Sequence, residues 1–416
     1  MVALGLTQTL AWASSTYLPA ILAAPIARDL GISRATVFGA FSVSLLVMAV
    51  AGPMVGRAID RAGGRNMLML SNLVLAAGLV LLGVTQHVAT LFAAWCILGA
   101  GMAMGLYDAA FAALVRLYGS EARKPITGIT LIAGFASTVG WPLTAFMDAE
   151  IGWRAACFVW AALHVLLALP VNWRLIPVPP ANANHAITPA THADQAPAAD
   201  RVQAPPPPVT EALTEAQRTR SFALLAVYFA TTAFVTSAYA SHLPGLLTAM
   251  GAGSAGAVMA AALLGPAQVA ARLVEFGVIS RYQVHALITA RVATVLHPLA
   301  CVLLGVFGGA VAVGTVPGAW GVPVLLAALF ALLHGAGNGM ITIAKGTLPL
   351  ALFGPAGYGL TQGWLGVGAH VMQAGAPYAF GLALDGWGGQ AALAISAALS
   401  LLALGVLFAL RPSAHA

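Results

Sequence analysis

A few charged side chains lie inside long apolar segments, where folding alone does not explain them. Arg272 and Glu275 stand three apart near the end of the apolar stretch LLGPAQVAARLVEFG. Asp108 lies in GLYDAAF, and Lys345 lies in ITIAKGT. Because an unpaired charge in hydrocarbon is costly, such groups by default mark ligand sites, proton sites or gates. For Lys345 a simpler role stays open, since a long lysine side chain can extend to the membrane surface.

The overall composition places most of the surface of this chain in lipid. Of its 416 residues, 60% are hydrophobic and only 7% are charged, and the mean hydropathy is +0.90. A soluble domain carries roughly 25% charged residues, so this chain cannot cover a water-facing surface of its size. The net charge of +6 comes from scattered loop residues and forms no patch for nucleic acid. The sequence therefore predicts a membrane protein with many spans.

Apolar runs long enough to cross roughly 30 Å of hydrocarbon recur along the chain. They predict an all-α membrane protein with 12 transmembrane helices in two pseudo-symmetric six-helix bundles. The predicted spans, numbered 1 to 12 in chain order, cover residues 2–24, 36–56, 66–85, 88–114, 125–147, 152–172, 221–247, 253–279, 285–308, 320–344, 352–382 and 388–410. No Lys or Arg precedes Arg28, so we interpret the start as a true first span and not as a signal peptide.

The two sets of spans are separated by a segment that cannot bury a core. Residues 176–220 are rich in Pro, Ala and polar residues, which predicts a disordered cytoplasmic linker. The predicted domains are an N-terminal bundle at 1–175 and a C-terminal bundle at 221–416. The four consecutive prolines at 205–208 would suit a Pro-recognition module, but a plain tether is the simpler interpretation.

The Lys and Arg residues of the short loops predict the orientation in the membrane. One side collects most of them, and the other holds only Arg28, Arg34 and Arg154. Because positively charged loops stay in the cytoplasm, both termini are predicted to be cytoplasmic, in a bacterial inner membrane. The three cysteines each lie inside an apolar run, so no disulfide, metal site or cofactor is expected.

The two halves of the chain repeat each other. YLPAIL begins at Tyr17 in span 1, and HLPGLL begins at His242 in span 7. LGAGMAMG in span 4 is echoed by LHGAGNGM in span 10. Spans 5 and 11 carry Gly-Trp-Pro and Gly-Ala-Pro, and both continue to Ala-Phe, an aspartate and Gly-Trp. Two joined six-helix repeats are typical of transporters that rock around a central site.

The loop after span 2 carries the most specific pattern in the chain. It reads GRAIDRAGGR, and its defining positions are Gly56, Asp60, Arg61, Gly63 and Arg65. This resembles the Gly-x-x-x-Asp-Arg-x-Gly-x-Arg loop between helices 2 and 3 of the major facilitator superfamily. The resemblance implies the fold of that superfamily, and glycines here allow a tight turn while the aspartate can cap a helix. We interpret the loop as a gate motif that latches one conformation and does not touch substrate.

Span 8 resembles the corresponding helix of monocarboxylate transporters and their bacterial oxalate/formate-type relatives. Those helices carry an arginine that meets the substrate carboxylate, and Arg272 falls on that position. A guanidinium suits the task because it is permanently charged and forks onto a carboxylate with two hydrogen bonds. Where the monocarboxylate carriers place a proton-carrying aspartate, this chain has Gln268. Alternatively, Arg272 and Glu275 form a degenerate second copy of the gate loop, matching Arg57 and Asp60.

The remaining charged groups are assigned by the helices that carry them. Helices 1, 4, 7 and 10 line the cavity in this fold, so Asp108 of span 4 and Lys345 of span 10 are expected to meet. We expect an inter-half salt bridge between them that closes the cytoplasmic side. Glu275 is interpreted as the counter-ion of Arg272, and a proton carrier is the alternative.

Several uncharged polar groups complete the predicted site. Tyr17 and His242 occupy matching places in spans 1 and 7, where a phenol and an imidazole can hydrogen-bond an anion. Asn338 in span 10 and His370 and Gln373 in span 11 are further candidates of lower rank. For each of these, ordinary packing of a polar side chain is the alternative interpretation.

Together these features predict a secondary active transporter that moves a small organic anion, a carboxylate, across the inner membrane by alternating access. The sequence shows no nucleotide-binding loop, so an ion gradient is expected to drive it, with Asp108 or Glu275 as the proton-carrying group. The alternative is efflux of amphipathic drugs or metabolites by proton antiport, and a non-transporting membrane sensor ranks below it. No nucleophile and base are suitably spaced for an enzyme. The expected partners are the small-molecule substrate, protons and the lipid bilayer, and the chain is expected to be monomeric.

Overall fold

The protein is a bundle of long apolar helices joined by short turns. The computed structural model describes residues 1–177, 214–282, 284–312 and 322–410. Its helices, labelled α1 to α15 in chain order, are Val2–Ala13, Leu18–Leu30, Arg34–Ala62, Gly64–Gly83, Val88–Gly105, Tyr107–Tyr118, Arg123–Ala133, Ala136–Leu163, Leu169–Leu175, Glu215–Leu247, Ser254–Ala262, Leu264–Gly277, Ala286–Ala312, Val322–Phe353 and Tyr358–Ala409.

Nine helical stretches of the described residues are long and apolar enough to cross a membrane. Two of them are long enough to cross the membrane more than once. Val88–Leu175 holds 88 residues and Tyr358–Ala409 holds 52, whereas one crossing takes about 20. Glycines with positive φ divide these stretches, at Gly152 (φ 82°) and at Gly388 (φ 81°). Since only glycine adopts this backbone readily, one helix can end and the next begin within a single residue.

Each half of the chain builds its own apolar core. In the N-terminal half a large cluster surrounds the fully buried side chains of Trp95 and Trp160. The C-terminal half has one cluster around Tyr239 and Phe330 and another around Tyr228. Leu350 and Tyr358 of the C-terminal half also join the large N-terminal cluster, so most but not all of each core lies within one half.

Each bundle also holds a buried polar network that joins its helices. In the N-terminal half the ring of His164 hydrogen-bonds to the hydroxyl of Ser14 (2.8 Å) and to the amide oxygen of Asn72 (2.9 Å). In the C-terminal half the hydroxyl of Tyr239 hydrogen-bonds to that of Ser396 (2.6 Å). Satisfied polar groups of this kind fix helix positions in an apolar interior, where each would be costly alone.

Several helices are interrupted near the middle of the bundle. The interruptions fall at residues 14–17 between α1 and α2, at Leu106 between α5 and α6, at 134–135 between α7 and α8, and at Leu263 between α11 and α12. Irregular backbone at membrane depth is tolerated where it is buried in protein or lines a cavity. Three of these interruptions belong to the N-terminal half and surround the site described below.

The first helix of the second half begins earlier than the sequence predicted. Helix α10 starts at Glu215, so residues 215–220 are helical and not part of a disordered linker. Thr214 and Gln217 explain this start, because the side chain of each accepts a hydrogen bond from the backbone N–H of the other (3.3 and 2.9 Å). The rest of the predicted linker after Pro177, and residues 313–321 between predicted spans 9 and 10, lie outside the described residues.

Candidate functional site

The gate motif joins the two halves through Asp60. Its two carboxylate oxygens accept hydrogen bonds from the backbone N–H groups of Gly359 and Leu360, each at 2.8 Å. These N–H groups belong to the first turn of α15, where helical N–H groups lack partners within the helix. A carboxylate there is favoured by both the hydrogen bonds and the positive end of the helix dipole. We refer to this end of the molecule, which carries residues 56–65, as the gate-loop end.

Glycines bring the two halves close enough for this contact. A Cβ added at Gly56 would overlap the carbonyl oxygen of Gly359, and one at Gly363 would overlap backbone atoms of Gly52. Helices α3 and α15 therefore touch along a glycine seam, backbone against backbone. Gly63 is needed for its backbone conformation. Its φ of 82° lets α3 end and α4 begin beside Asp60.

Glu275 forms an ion pair across the halves, but its partner differs from the predicted one. Its Oε1 lies 3.0 Å from Nη2 of Arg123 at the start of α7, and its side chain is 1% exposed. Arg123 also donates a hydrogen bond to the carbonyl of Val284. Glu275 is thus the counter-ion of Arg123 and not of Arg272, although Arg272 stands one helical turn away. The sequence analysis did not identify Arg123 as a site residue, because its partner Glu275 lies 152 positions away in the other half of the chain.

Arg272 lies buried between the halves and is held by neutral groups. Its side chain is 4% exposed, and its Nη1 donates to the carbonyl of Thr130 in the N-terminal half at 2.9 Å. On the C-terminal side Nε donates to the carbonyl of Gly339 (3.3 Å), and Nη2 reaches the hydroxyl of Thr342 (3.4 Å). Within the described residues no carboxylate lies within 4.0 Å of its guanidinium. A buried permanent cation is therefore surrounded by dipoles and not by an opposite charge.

Asp108 also bridges the halves, through partners other than Lys345. Its Oδ2 lies 2.9 Å from Nε2 of His370, and its Oδ1 accepts a hydrogen bond from the side chain of Gln362 at 3.0 Å. The predicted Asp108–Lys345 salt bridge is therefore wrong in this conformation, and Lys345 acts on Asp108 only through longer-range attraction. The interruption at Leu106 turns Asp108 toward α15, where His370 and Gln362 stand two helical turns apart.

The other predicted residues are distributed around this centre. Nε2 of His242 hydrogen-bonds to the carbonyl of Pro377 at 2.8 Å, and Asn338 accepts from the hydroxyl of Thr236 at 2.8 Å. Both contacts stay within the C-terminal half. Gln373 lies 3.5 Å from Nδ1 of His370 and so extends the Asp108 network.

Gln268 stands beside Arg272. It is half-buried one turn before Arg272 on α12, and its backbone packs closely against Gly339 of α14. Tyr17 lies at the interruption between α1 and α2, where its ring contacts those of Trp12 and Trp141. His242 and Asn338 form contacts elsewhere.

The cross-half contacts leave one end of the molecule unlinked. In the described residues they run from Asp60 at the gate-loop end to Ser42, whose hydroxyl donates to the carbonyl of Ala374 at 3.2 Å. Between Ser42 and the start of α3 at Arg34, no hydrogen bond or ion pair to the other half is found among those residues. The halves are therefore fastened at the gate-loop end and through the middle.

This arrangement of two helical bundles with charged groups shared between them belongs to a membrane transporter fold. The chain is a member of the Major Facilitator Superfamily, whose family model matches residues 4–324. The protein is accordingly a multi-pass membrane transporter of that superfamily.

Solved structures share the fold over nearly the whole chain. The human organic anion transporter MFSD10 (TETRAN) is 16% identical, with a TM-score of 0.62 over 98% of this chain and 97% of that one. The proton:xylose symporter XylE, bound to 6-bromo-6-deoxy-D-glucose, is 13% identical, with a TM-score of 0.70 over 99% and 96%. At these identities the likeness establishes the fold and not the substrate.

One curated relative matches part of the sequence. Mouse (Mus musculus) monocarboxylate transporter 14 is 29% identical over 129 residues. The match covers 31% of this chain and 25% of that protein, so it spans about a quarter of the relative's length.

We predict that Asp60→Asn loosens the gate-loop end. The substitution removes a charge from the N-terminus of α15, which shifts the equilibrium toward separated halves by about fivefold, or about 1 kcal/mol. Spin labels at Tyr118→Cys and Tyr282→Cys, in a variant without the native cysteines, would report the distance between the halves. Asp385→Asn, the same change at an exposed aspartate outside the gate loop, is the matched control. An unchanged distance distribution in Asp60→Asn would contradict the prediction.

We predict that Arg123→Met destabilises the protein more than the double variant Arg123→Met/Glu275→Met. The single change leaves the carboxylate of Glu275 buried and unpaired, which costs about 3 kcal/mol, whereas the double change leaves an apolar contact. Thermal unfolding of the purified proteins in detergent measures the stability of the single and the double variant. Equal melting temperatures for the single and double variants would show that the ion pair does not carry this stability.

Proposed function

We propose that this protein is a secondary active transporter that moves a small organic anion, a carboxylate, across the inner membrane by alternating access coupled to protons. The observation that carries the proposal is the buried guanidinium of Arg272, which has no carboxylate partner within the described residues. In this proposal the chain makes twelve crossings with both termini in the cytoplasm. It works as a single chain, because one chain supplies both sides of the cavity.

The environment of Arg272 favours an anionic ligand. Moving a charge out of water costs several kcal/mol, and neutral acceptors repay only part of that cost. A substrate carboxylate would supply the missing charge, with two parallel hydrogen bonds from the fork of the guanidinium. Sugar hydroxyls would leave the positive charge uncompensated. The same argument disfavours cationic drugs, which would be repelled from this position.

The position of Arg272 couples ligand binding to movement. It contacts Thr130 in the N-terminal half and Gly339 and Thr342 in the C-terminal half. An anion that draws the guanidinium toward itself competes with these contacts. Binding would therefore change the balance of forces between the halves, which alternating access requires.

The Asp108–His370 pair is the proposed proton site. Asp108 accepts hydrogen bonds from two groups of the other half, and the carboxylate form is the one that accepts both. Protonation of Asp108 would remove an acceptor and weaken this link between the halves. Gln373 lies 3.5 Å from Nδ1 of His370 and so orients the far side of that ring. Protonation can thus release the middle of the molecule.

The gate contacts complete the proposed cycle. The Asp60 contact and the Arg123–Glu275 pair hold the gate-loop end together, and both must break before that end can open. The names of two similar proteins, a monocarboxylate transporter and an organic anion transporter, agree with an anionic substrate. Drug or metabolite efflux is the competing function, and the test below separates the two.

We predict that Arg272→Lys and Arg272→Gln lower the affinity for carboxylates by about 10- to 100-fold, because hydrogen bonds to a charged group contribute about 1.5–3 kcal/mol. Proteoliposomes loaded with a panel of radiolabelled monocarboxylates measure uptake and exchange. Arg281→Gln, an exposed arginine after the same helix, is the matched control. Unchanged carboxylate transport in both variants would overturn the proposal, and retained export of amphipathic dyes would favour the efflux function.

We predict that Asp108→Asn uncouples transport from protons. The amide keeps the size of the side chain but no longer titrates, so proton-driven accumulation should be lost while substrate exchange across equal pH continues. His370→Gln should reduce accumulation less, because Asp108 remains titratable. Lys345→Ala is the third variant whose proton-driven accumulation is measured. Accumulation that follows the pH gradient normally in Asp108→Asn would place the proton site elsewhere.

A further inference from the structure

Four aromatic rings of the N-terminal half form a cluster. The ring of Trp12 on α1 lies 4.8 Å from that of Tyr107 on α6 and 6.0 Å from that of Tyr17 (centroid to centroid). The ring of Tyr17 meets that of Trp141 on α8 edge to face at 5.8 Å. These four rings come from α1, the interruption after it, α6 and α8, so three separate segments of the N-terminal half contribute to one cluster. We refer to them as the aromatic wall.

The aromatic wall differs from the aromatic residues of the core. Trp95 and Trp160 are 0% and 2% exposed, whereas Trp141 is 42% exposed, and the other three wall rings are half-buried. Helix α7 places the wall near Arg272. The hydroxyl of Thr9, one turn before Trp12, donates to the carbonyl of Ile132 at 3.4 Å, and Nη1 of Arg272 donates to the carbonyl of Thr130 on the same helix.

Two polar atoms close to the wall have no partner. Nε1 of Trp12 and the hydroxyl of Thr16 are buried and have no hydrogen-bond partner in the described part of the chain. Trp12 lies in the last turn of α1, and Thr16 lies in the interruption that follows it. A buried donor without a partner is costly, and a bound ligand with an oxygen substituent would satisfy it. Apolar packing alone does not account for these atoms.

We propose that the substrate of this transporter is an aromatic carboxylate, held by its carboxylate at Arg272 and by its ring against the aromatic wall. The inference rests on the proposed function, since it names the organic part of the anion that Arg272 binds. A flat ring matches the wall because aromatic pairs at these centroid distances attract beyond the area they bury. The indole N–H of Trp12 favours rings that carry a hydroxyl or another oxygen substituent.

The experiment compares ligands of matched size and charge on the purified, full-length protein. Benzoate and cyclohexanecarboxylate carry the same charge and ring size but differ in planarity and π-electrons. Propionate tests the carboxylate alone, and benzyl alcohol tests the ring alone. Isothermal titration or competition for uptake in proteoliposomes gives the four affinities. We expect benzoate to bind about three- to tenfold more tightly than cyclohexanecarboxylate, propionate to bind weakly, and benzyl alcohol not to compete.

Variants of the aromatic wall test whether these rings cause the preference for benzoate over cyclohexanecarboxylate. Trp12→Leu and Tyr107→Leu should abolish the advantage of benzoate over cyclohexanecarboxylate and leave the affinity for propionate unchanged, which also shows that the variants are folded. Trp12→Phe should retain the advantage for benzoate but lose any gain from a ring hydroxyl. Phe146→Leu changes an exposed aromatic residue of the same helix as Trp141 and is the matched control.

The outcomes separate the two proposals. Equal affinities for benzoate and cyclohexanecarboxylate would overturn the aromatic substrate while leaving a carboxylate transporter in place. A benzoate preference that survives Trp12→Leu and Tyr107→Leu would overturn the assignment to the wall. Failure of all three carboxylates to bind would overturn the proposed function itself.

Discussion

A charge inside a bilayer has to be satisfied by the protein, and in this chain it is repeatedly satisfied across the boundary between the two halves. Asp60 caps a helix of the opposite half, Glu275 pairs with Arg123, and Asp108 meets His370. Each bundle builds most of its core from its own residues. The charges, in contrast, are paired across the boundary. These contacts hold the halves in the arrangement that the structure shows.

The sequence was sufficient for the family and the general fold. The pattern GRAIDRAGGR and the repeated segments predicted the major facilitator superfamily, which the family match over 4–324 confirms. Composition predicted a multi-pass membrane protein, and hydropathy located most of the long helices. These features are local, because each depends on residue type and spacing within one segment.

The sequence did not reveal which charged side chains contact each other in the folded protein. Glu275 was assigned to Arg272 because three residues along a helix bring side chains to one face, but the start of α7 brings Arg123 nearer. Asp108 was assigned to Lys345 from repeat symmetry, whereas the break at Leu106 directs it to α15. Both observed pairs join the two halves, and neither local spacing nor repeat symmetry shows which side chains tertiary packing brings together. Arg272 itself was singled out from a family resemblance, and its neutral surroundings emerged only from tertiary contacts.

The glycine seam between α3 and α15 has a kinetic consequence. Where side chains interdigitate, separating two helices requires many rotamers to disengage together, and the barrier is correspondingly high. Along Gly52 and Gly56 the contact is backbone on backbone, so the helices can roll on each other without that step. In the proposed alternating-access cycle, the seam would therefore affect how fast the halves exchange positions more than how tightly a ligand binds. In a transporter limited by the return of its empty form, such a surface sets the turnover number.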